Sequence, residues 1–195
     1  ARPEDRYRIA AENPVKLAVL DQLLAKHADD QTLIIGMYLE QLEEVRRRYD
    51  LPIITGKTTV HERRKLYRQF KEGEIRRLIV SKVGNFAVDL PDANVMIQIS
   101  GTFGSRQEEA QRLGRILRPK RNGLLAHFYT LVSRDTNDQQ FSANRQLFLT
   151  EQGYHYTILY EDEVAAHQPA TLEALCREVP AHRPLPASLR PSGQG

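Results

Sequence analysis

This 195-residue sequence predicts an α/β fold, a parallel sheet with helices on both faces. Three observations carry that prediction. Short runs of Ile, Val and Leu recur at Thr32–Ile35, Ile53–Ile54, Leu78–Val80 and Val95–Ile99, without the polar alternation of a half-exposed strand. Segments with apolar residues at helical spacing lie between several of them. The connections are too long for hairpins, so successive strands run parallel and the chain crosses back over the sheet between them.

Residues 1–12 are charged and irregular and read as a leader. Asn13-Pro14 supplies an N-cap and a first-turn proline, and Val15, Leu17, Val19, Leu20, Leu23 and Leu24 make an amphipathic helix to about His27. The strand at Thr32–Ile35 leads into a helix carrying Leu39, Leu42 and Val45 that ends in Arg46-Arg47-Arg48, a charge favourable at a helix C-terminus. Ile53–Ile54 is a short strand ending at Thr55-Gly56. Thr59 and Glu62 have capping-box spacing and open a helix through Leu66 and Phe70. Strands at Leu78–Val80 and Val95–Ile99 follow, then a helix from Ser105, a strand near Leu124–Leu131 and a helix from about Asp138 to Glu151. Periodicity fades from Val164, and five prolines from position 169 onward suggest a mobile tail. The expected organisation is a domain over 13–160 and a flexible tail over 161–195.

Composition narrows the class. Charged residues at 27% and hydrophobics at 41% suit a globular domain with a proper core. The single cysteine, Cys176, leaves no intramolecular disulfide and suits a reducing cytoplasm. No apolar run approaches the roughly 20 residues of a membrane helix. The start at Ala1 rather than Met suggests a piece of a longer protein. A net charge of +3 is too small to imply a nucleic-acid partner, but Arg106 to Arg121 concentrates six Lys/Arg against two Glu.

That patch contains the most informative stretch, S-R-Q-E-E-A-Q-R-L-G-R-I-L-R from Ser105 to Arg118. Ser105 and Glu108 form a second capping-box pattern. At helical spacing Ala110, Leu113 and Leu117 form an apolar stripe, while Arg112, Arg115 and Arg118 wind down a neighbouring face. Forked, permanently charged guanidiniums so grouped suit phosphate oxygens. Taken alone, the same segment also fits a solvated basic helix. In open parallel sheets ligands gather at the carboxyl ends of the strands. Thr55-Gly56, Ser81–Gly84 and Ser100–Ser105 all follow strands, so they should share that edge.

Upstream of the arginines lies L-I-V-S-K-V-G-N-F-A-V-D-L-P-D-A-N-V-M-I-Q-I-S, Leu78 to Ser100. Together the two segments resemble motifs V and VI of superfamily 2 helicases, and their wording is similar to the xeroderma pigmentosum group B (XPB) DNA helicase family, in a bacterial form. Asn13-Pro14 with Lys16, Thr32–Gly36 with Tyr38, Ile54-Thr55-Gly56 with Glu62-Arg63, Ser133–Thr136 and Arg145–Tyr154 extend the resemblance over about Asn13 to Tyr160. It implies the second RecA-like domain of a two-domain ATP motor.

Residue roles follow from the resemblance. Arg115 and Arg118 correspond to arginine fingers, which stabilise charge on a transferring phosphoryl group. Arg112 braces the contact between the two motor domains or approaches the phosphates, or makes an ion pair within its own domain, and Gln111 orients that loop. Asp89 faces a ribose hydroxyl or a motif VI arginine; a turn or cap aspartate before Leu90-Pro91 is the plainer use. Ser81 and Gly84 meet the DNA backbone, with Thr55, Gly56, Lys57 and Arg106 as candidate contacts at the same edge. Phosphate contacts of this kind are blind to base sequence. Phe86 and Ala87 stand where many superfamily members have Arg-Gly, a departure that bears against a phosphate contact from that corner.

Gly56-Lys57-Thr58-Thr59 superficially resembles the end of a nucleotide-binding P-loop, but Leu51 occupies the position that needs glycine. No acidic magnesium motif accompanies it. ATP and Mg2+ are therefore expected to be held mainly by another domain, the N-terminal motor domain of the same protein. The implied function is half of an ATP-dependent 3′–5′ DNA helicase or translocase in DNA repair, in the bacterial cytosol or nucleoid. Its expected partners are DNA, that N-terminal domain and repair proteins. The alternative is a non-catalytic module that binds nucleic acid or docks a partner.

Overall fold

The computed structural model describes residues 13–81, 93–100, 126–133, 150–151 and 157–168. In chain order they form α1 (Pro14–Lys26), β1 (Thr32–Gly36), α2 (Leu39–Tyr49), β2 (Ile53–Ile54), α3 (Val60–Glu72), β3 (Arg77–Ser81), β4 (Val95–Gln98) and β5 (His127–Thr130). The five strands make one sheet in the order β2-β3-β1-β4-β5, and every described pairing is parallel.

The topology dictates where the helices go. The chain leaves β1 for β2, two places away, and then turns back to insert β3 between them. Crossovers between parallel strands are right-handed, so reversing direction across the sheet moves the connecting helix to the other face. Leu42 and Val45 of α2 pack with Leu20, Leu23 and Leu24 of α1 against Ile34, Ile79, Val95 and Ile97. Phe70 of α3 packs on the opposite face against Leu33, Ile35, Leu78, Val80 and Met96. Odd and even positions of the same strands feed two cores, which is why the strands read as unbroken apolar runs.

Local chemistry sets the helix ends. Asn13 Oδ1 accepts from Val15 N at 3.0 Å, with Pro14 in the first turn. Thr59 and Glu62 complete a reciprocal capping box at α3, which closes on Gly73 in the left-handed region at φ 79. Asp50, also left-handed at φ 49, ends α2.

Two expectations are corrected by packing. Within α1, Val15 is exposed and Lys16 is buried, because Lys16 shares a face with Leu20 and its Nζ donates to Ile99 O at 3.2 Å. Leu39 opens α2 on its exposed side. Of the expected tail only residues 161–168 are described. Val164 is 6% exposed in the core beneath α1, and Lys26 Nζ donates to the carbonyls of Val164 and His167. A single valine between three acids and two alanines has no periodicity, so its burial left no pattern to read. The expected leader, the helix from Ser105 and most of the closing helix lie outside the described residues; Thr150 and Glu151 are helical.

Candidate nucleic-acid interface

Parallel strands end together, and the register shows how evenly. Gly36 pairs with Ser81, Ile54 with Val80, Ile35 with Gln98, and Gln98 with Thr130. Thr55, Ser81, Gly36, Ile99 and Leu131 therefore stand in one row across the carboxyl edge. The connection leaving β1 runs toward β2, while β4 and β5 lie on the other side of β1, the kind of crevice where α/β sheets take ligands.

The middle of this edge is tightly built. A Cβ on Gly36 would stand 2.9 Å from Leu42 Cδ2 and 3.1 Å from Ser100 Oγ, so glycine lets α2 and the end of β4 close over β1. Ser100 Oγ accepts from Met37 N at 3.1 Å, tying the exits of β1 and β4 together. Lys16 holds the adjacent Ile99 carbonyl from below. The sequence reading missed the Ser100 tie. A hydroxyl directly after a buried strand was the available signal.

On the β2 side the loop is self-contained. Thr55 N donates to Thr58 Oγ1 at 2.9 Å, Lys57 N to Thr55 Oγ1 at 3.2 Å, Thr58 N to Thr55 O at 3.2 Å, and Thr59 N to Glu62 Oε2 at 3.1 Å. Those amides are consumed by the loop's own oxygens, so it cannot cradle a nucleotide's phosphates as a P-loop does. What it turns outward is the exposed backbone of Gly56 and the exposed Lys57 ammonium. Hydrogen bonds from Thr59 hold the Glu62 carboxyl below its ordinary range, so its charge stays fixed in the capping box.

Of the sequence-derived site residues, the structure brings Thr55, Gly56, Lys57 and Ser81 to one edge. Ser81 is only 3% exposed, while Gly56 and Lys57 face solvent. Gly84, Asp89, Arg106, Gln111, Arg112, Arg115 and Arg118 lie outside the described residues.

At the amino end of the sheet a separate polar network joins α1 to β5. His27, 3% exposed, lies 2.7 Å from Asp30 Oδ2 through Nδ1 and 2.8 Å from the Tyr129 hydroxyl through Nε2. Burial pushes Tyr129 up to about 12, so it stays a neutral hydrogen-bonding group. The network pins the edge strand far from the loops. Among the described residues no group of His, Cys, Asp and Glu is arranged to hold a metal, and no helix is long and apolar enough to cross a membrane.

Comparison with known proteins agrees with this architecture. The C-terminal domain of the DEAD-box protein Dbp5 superposes with a TM-score of 0.62 at 18% identity, over 73% of this chain and 82% of that one, a likeness of fold. The DNA 3′-5′ helicase XPB of Mycobacterium tuberculosis is 54% identical over 164 residues, which is 84% of this chain and 30% of the relative. The protein of the same name from Kineococcus radiotolerans is 52% identical over 169 residues, 87% of this chain and again 30% of the relative. The chain thus spans about a third of the length of these relatives. The family model described as ERCC3/RAD25/XPB C-terminal helicase matches residues 1–177. With that match running through both cores and the loops of the carboxyl edge, the chain belongs to the ERCC3/RAD25/XPB C-terminal helicase family.

Proposed function

We propose that this chain is the second motor domain of an ATP-dependent 3′–5′ DNA helicase or translocase that serves DNA repair in a bacterial cytoplasm. The observation that carries the reading is the convergence of Thr55, Gly56, Lys57 and Ser81 on one carboxyl edge, within a chain that matches the family along most of its length. Gly56 and Lys57 are the outward phosphate contacts, Gly84 and Arg106 continue the same grip, and Ser81, only 3% exposed, adds to it from the buried end of β3. Thr55 acts by shaping the loop: its hydroxyl accepts the Lys57 amide. Contacts to phosphate rather than to bases suit a protein that moves along DNA of any sequence.

The loop after β2 spends its amides internally, so ATP and Mg2+ are held mainly by the N-terminal motor domain of the complete protein. ATP, when bound there, supplies the free energy that separates one DNA grip from the next. This chain adds Arg115 and Arg118 as guanidiniums directed at the phosphoryl oxygens, with Arg112, Gln111 and Asp89 setting the approach between the domains. Its partners are DNA, that N-terminal domain and repair proteins.

The test is Arg118→Ala in the complete protein. DNA-stimulated ATP hydrolysis is expected to fall by about 10³-fold or more while DNA binding persists. Undiminished hydrolysis would remove Arg118 from the catalytic role and favour a binding module without an ATP cycle.

A further inference from the structure

The solvent face of α3 carries a run of cations beyond those of the proposed DNA edge. Between Lys57 and Lys71 there are six Lys/Arg and one Glu, and that one, Glu62, is locked onto Thr59. Phe70 and Leu66 turn α3 toward the core. At about 100° per residue, the side opposite Phe70 carries His61, Arg64, Lys65 and Arg68, with Lys71 at its margin. All five are exposed. Among the described residues no carboxylate lies within ion-pair reach of Lys57, Arg64, Lys65 or Lys71, and Arg68 has only a loose 3.9 Å approach to Glu72 with both side chains more than half exposed. The cations follow directly from the loop that presents Lys57, and from His61 to Lys71 they span about 15 Å at 1.5 Å per residue.

We propose that the exposed face of α3 is a second phosphate track, which carries the backbone of double-helical DNA away from the carboxyl edge. The inference rests on the reading of this chain as a DNA-binding motor domain. Three features select a duplex backbone over other anionic partners. The face lacks the Phe, Tyr or Trp platforms on which single strands stack, because Tyr67 and Phe70 both pack inward and His61 is its one ring. It lacks the apolar centre of a protein interface, since its one exposed large hydrophobic residue, Val60, sits at the end of the helix. Its apolar side is committed to the core and cannot enter a lipid surface. What remains is a straight row of cations on a rigid helix, suited to a stiff rod of regularly spaced phosphates.

The experiment compares two matched double variants of the full 195-residue chain, Arg64→Gln/Lys65→Gln on α3 and Arg46→Gln/Arg47→Gln on α2. Affinity for a labelled duplex of arbitrary sequence is measured by fluorescence anisotropy over a salt series, with folding checked by circular dichroism. The α3 pair is expected to reduce the slope of log affinity against log salt by about two, and the α2 pair to leave it near the wild-type value. Equal changes in both variants, or none in either, would overturn the track. Equal loss on a single strand would overturn its assignment to duplex. Lys57→Gln tells the two levels apart: binding that falls with Lys57→Gln yet ignores the α3 pair sinks the track alone. A wild-type chain that binds no DNA sinks the motor-domain reading with it.

Discussion

Helices α2 and α3 cover opposite faces of one sheet, and both are rich in arginine, yet their charges are handled in opposite ways. On α2 three acids accompany three arginines. Arg46 pairs with Glu43 at 3.1 Å, Arg47 Nε donates to the Glu43 carbonyl, and Arg48 reaches across to Asp21 of α1. Tyr49 donates to the same Asp21 at 2.6 Å. Arg48 and Tyr49 therefore clasp α2 to α1, while Arg46 and Arg47 are held within α2 itself. On α3 Arg64, Lys65, Arg68 and Lys71 are exposed to water, and among the described residues the only firm carboxylate contact of the helix is spent on the cap. A count of arginines cannot distinguish a helix clasp from a ligand surface; the position of the nearest carboxylate does. Surface pairs contribute little stability, so the difference bears on what each surface can bind more than on how well the fold stands.

Three perturbations sharpen that contrast, beginning with the largest. Phe70→Ala removes the anchor that fixes which side of α3 faces out. Phe70 is fully buried, so the loss should reach about 3–5 kcal/mol in chemical denaturation. A loss below about 1 kcal/mol would mean that another residue sets the orientation of α3, and its outward face would have to be redrawn.

Thr59→Ala cuts the reciprocal cap and releases Glu62 from the backbone. A destabilisation of about 1 kcal/mol is expected. The freed Glu62 carboxylate should also weaken DNA binding at low salt, since a mobile anion then stands beside Lys57. Thermal melts and anisotropy titrations measure the two effects independently, and tighter binding in the variant would contradict the cation face of α3.

The smallest effect belongs to α2. Hydrogen bonds from Arg48 and Tyr49 lower the Asp21 carboxyl below its usual 3.8. A depressed folded-state value means that its contribution is present above pH 3.8 and is lost as the pH falls through the lower, folded value. Asp21→Asn should therefore be slightly less stable than the wild type at pH 7, and the gap should close in acid. The side chains of Arg48 and Asp21 are 47% and 41% exposed, so solvent screens the pair and the gap stays small. A gap that persists unchanged to pH 2 would assign the effect to packing instead of charge. DNA binding should not respond to this variant at all.

Much of the fold was legible because its signals are local. Thr59 with Glu62, Asn13 with Pro14, and the apolar runs at Leu33–Ile35 and Leu78–Val80 each state their role within a few residues. The convergence of Thr55 and Ser81 on one edge also followed from sequence, since parallel strands must end on the same side. Contacts between residues far apart in the chain were not legible. Lys16 finds Ile99, Lys26 finds Val164, His27 finds Tyr129, and Ser100 finds Met37, each across more than 60 residues.

By itself the sequence determined the order of strands and helices, the caps that bound the helices, the family to which the motifs point and the absence of a P-loop glycine before Gly56. Tertiary structure alone decided which face of the sheet each helix covers, that Val164 is packed in the core beneath α1, and that Arg46 and Arg48 of α2 meet carboxylates while, among the described residues, the exposed cations of α3 have only the loose approach of Arg68 to Glu72. The physical reason is range. Capping and hydrophobic periodicity act within a turn or two of the chain, whereas burial and ion pairing depend on what the fold brings within a few ångströms.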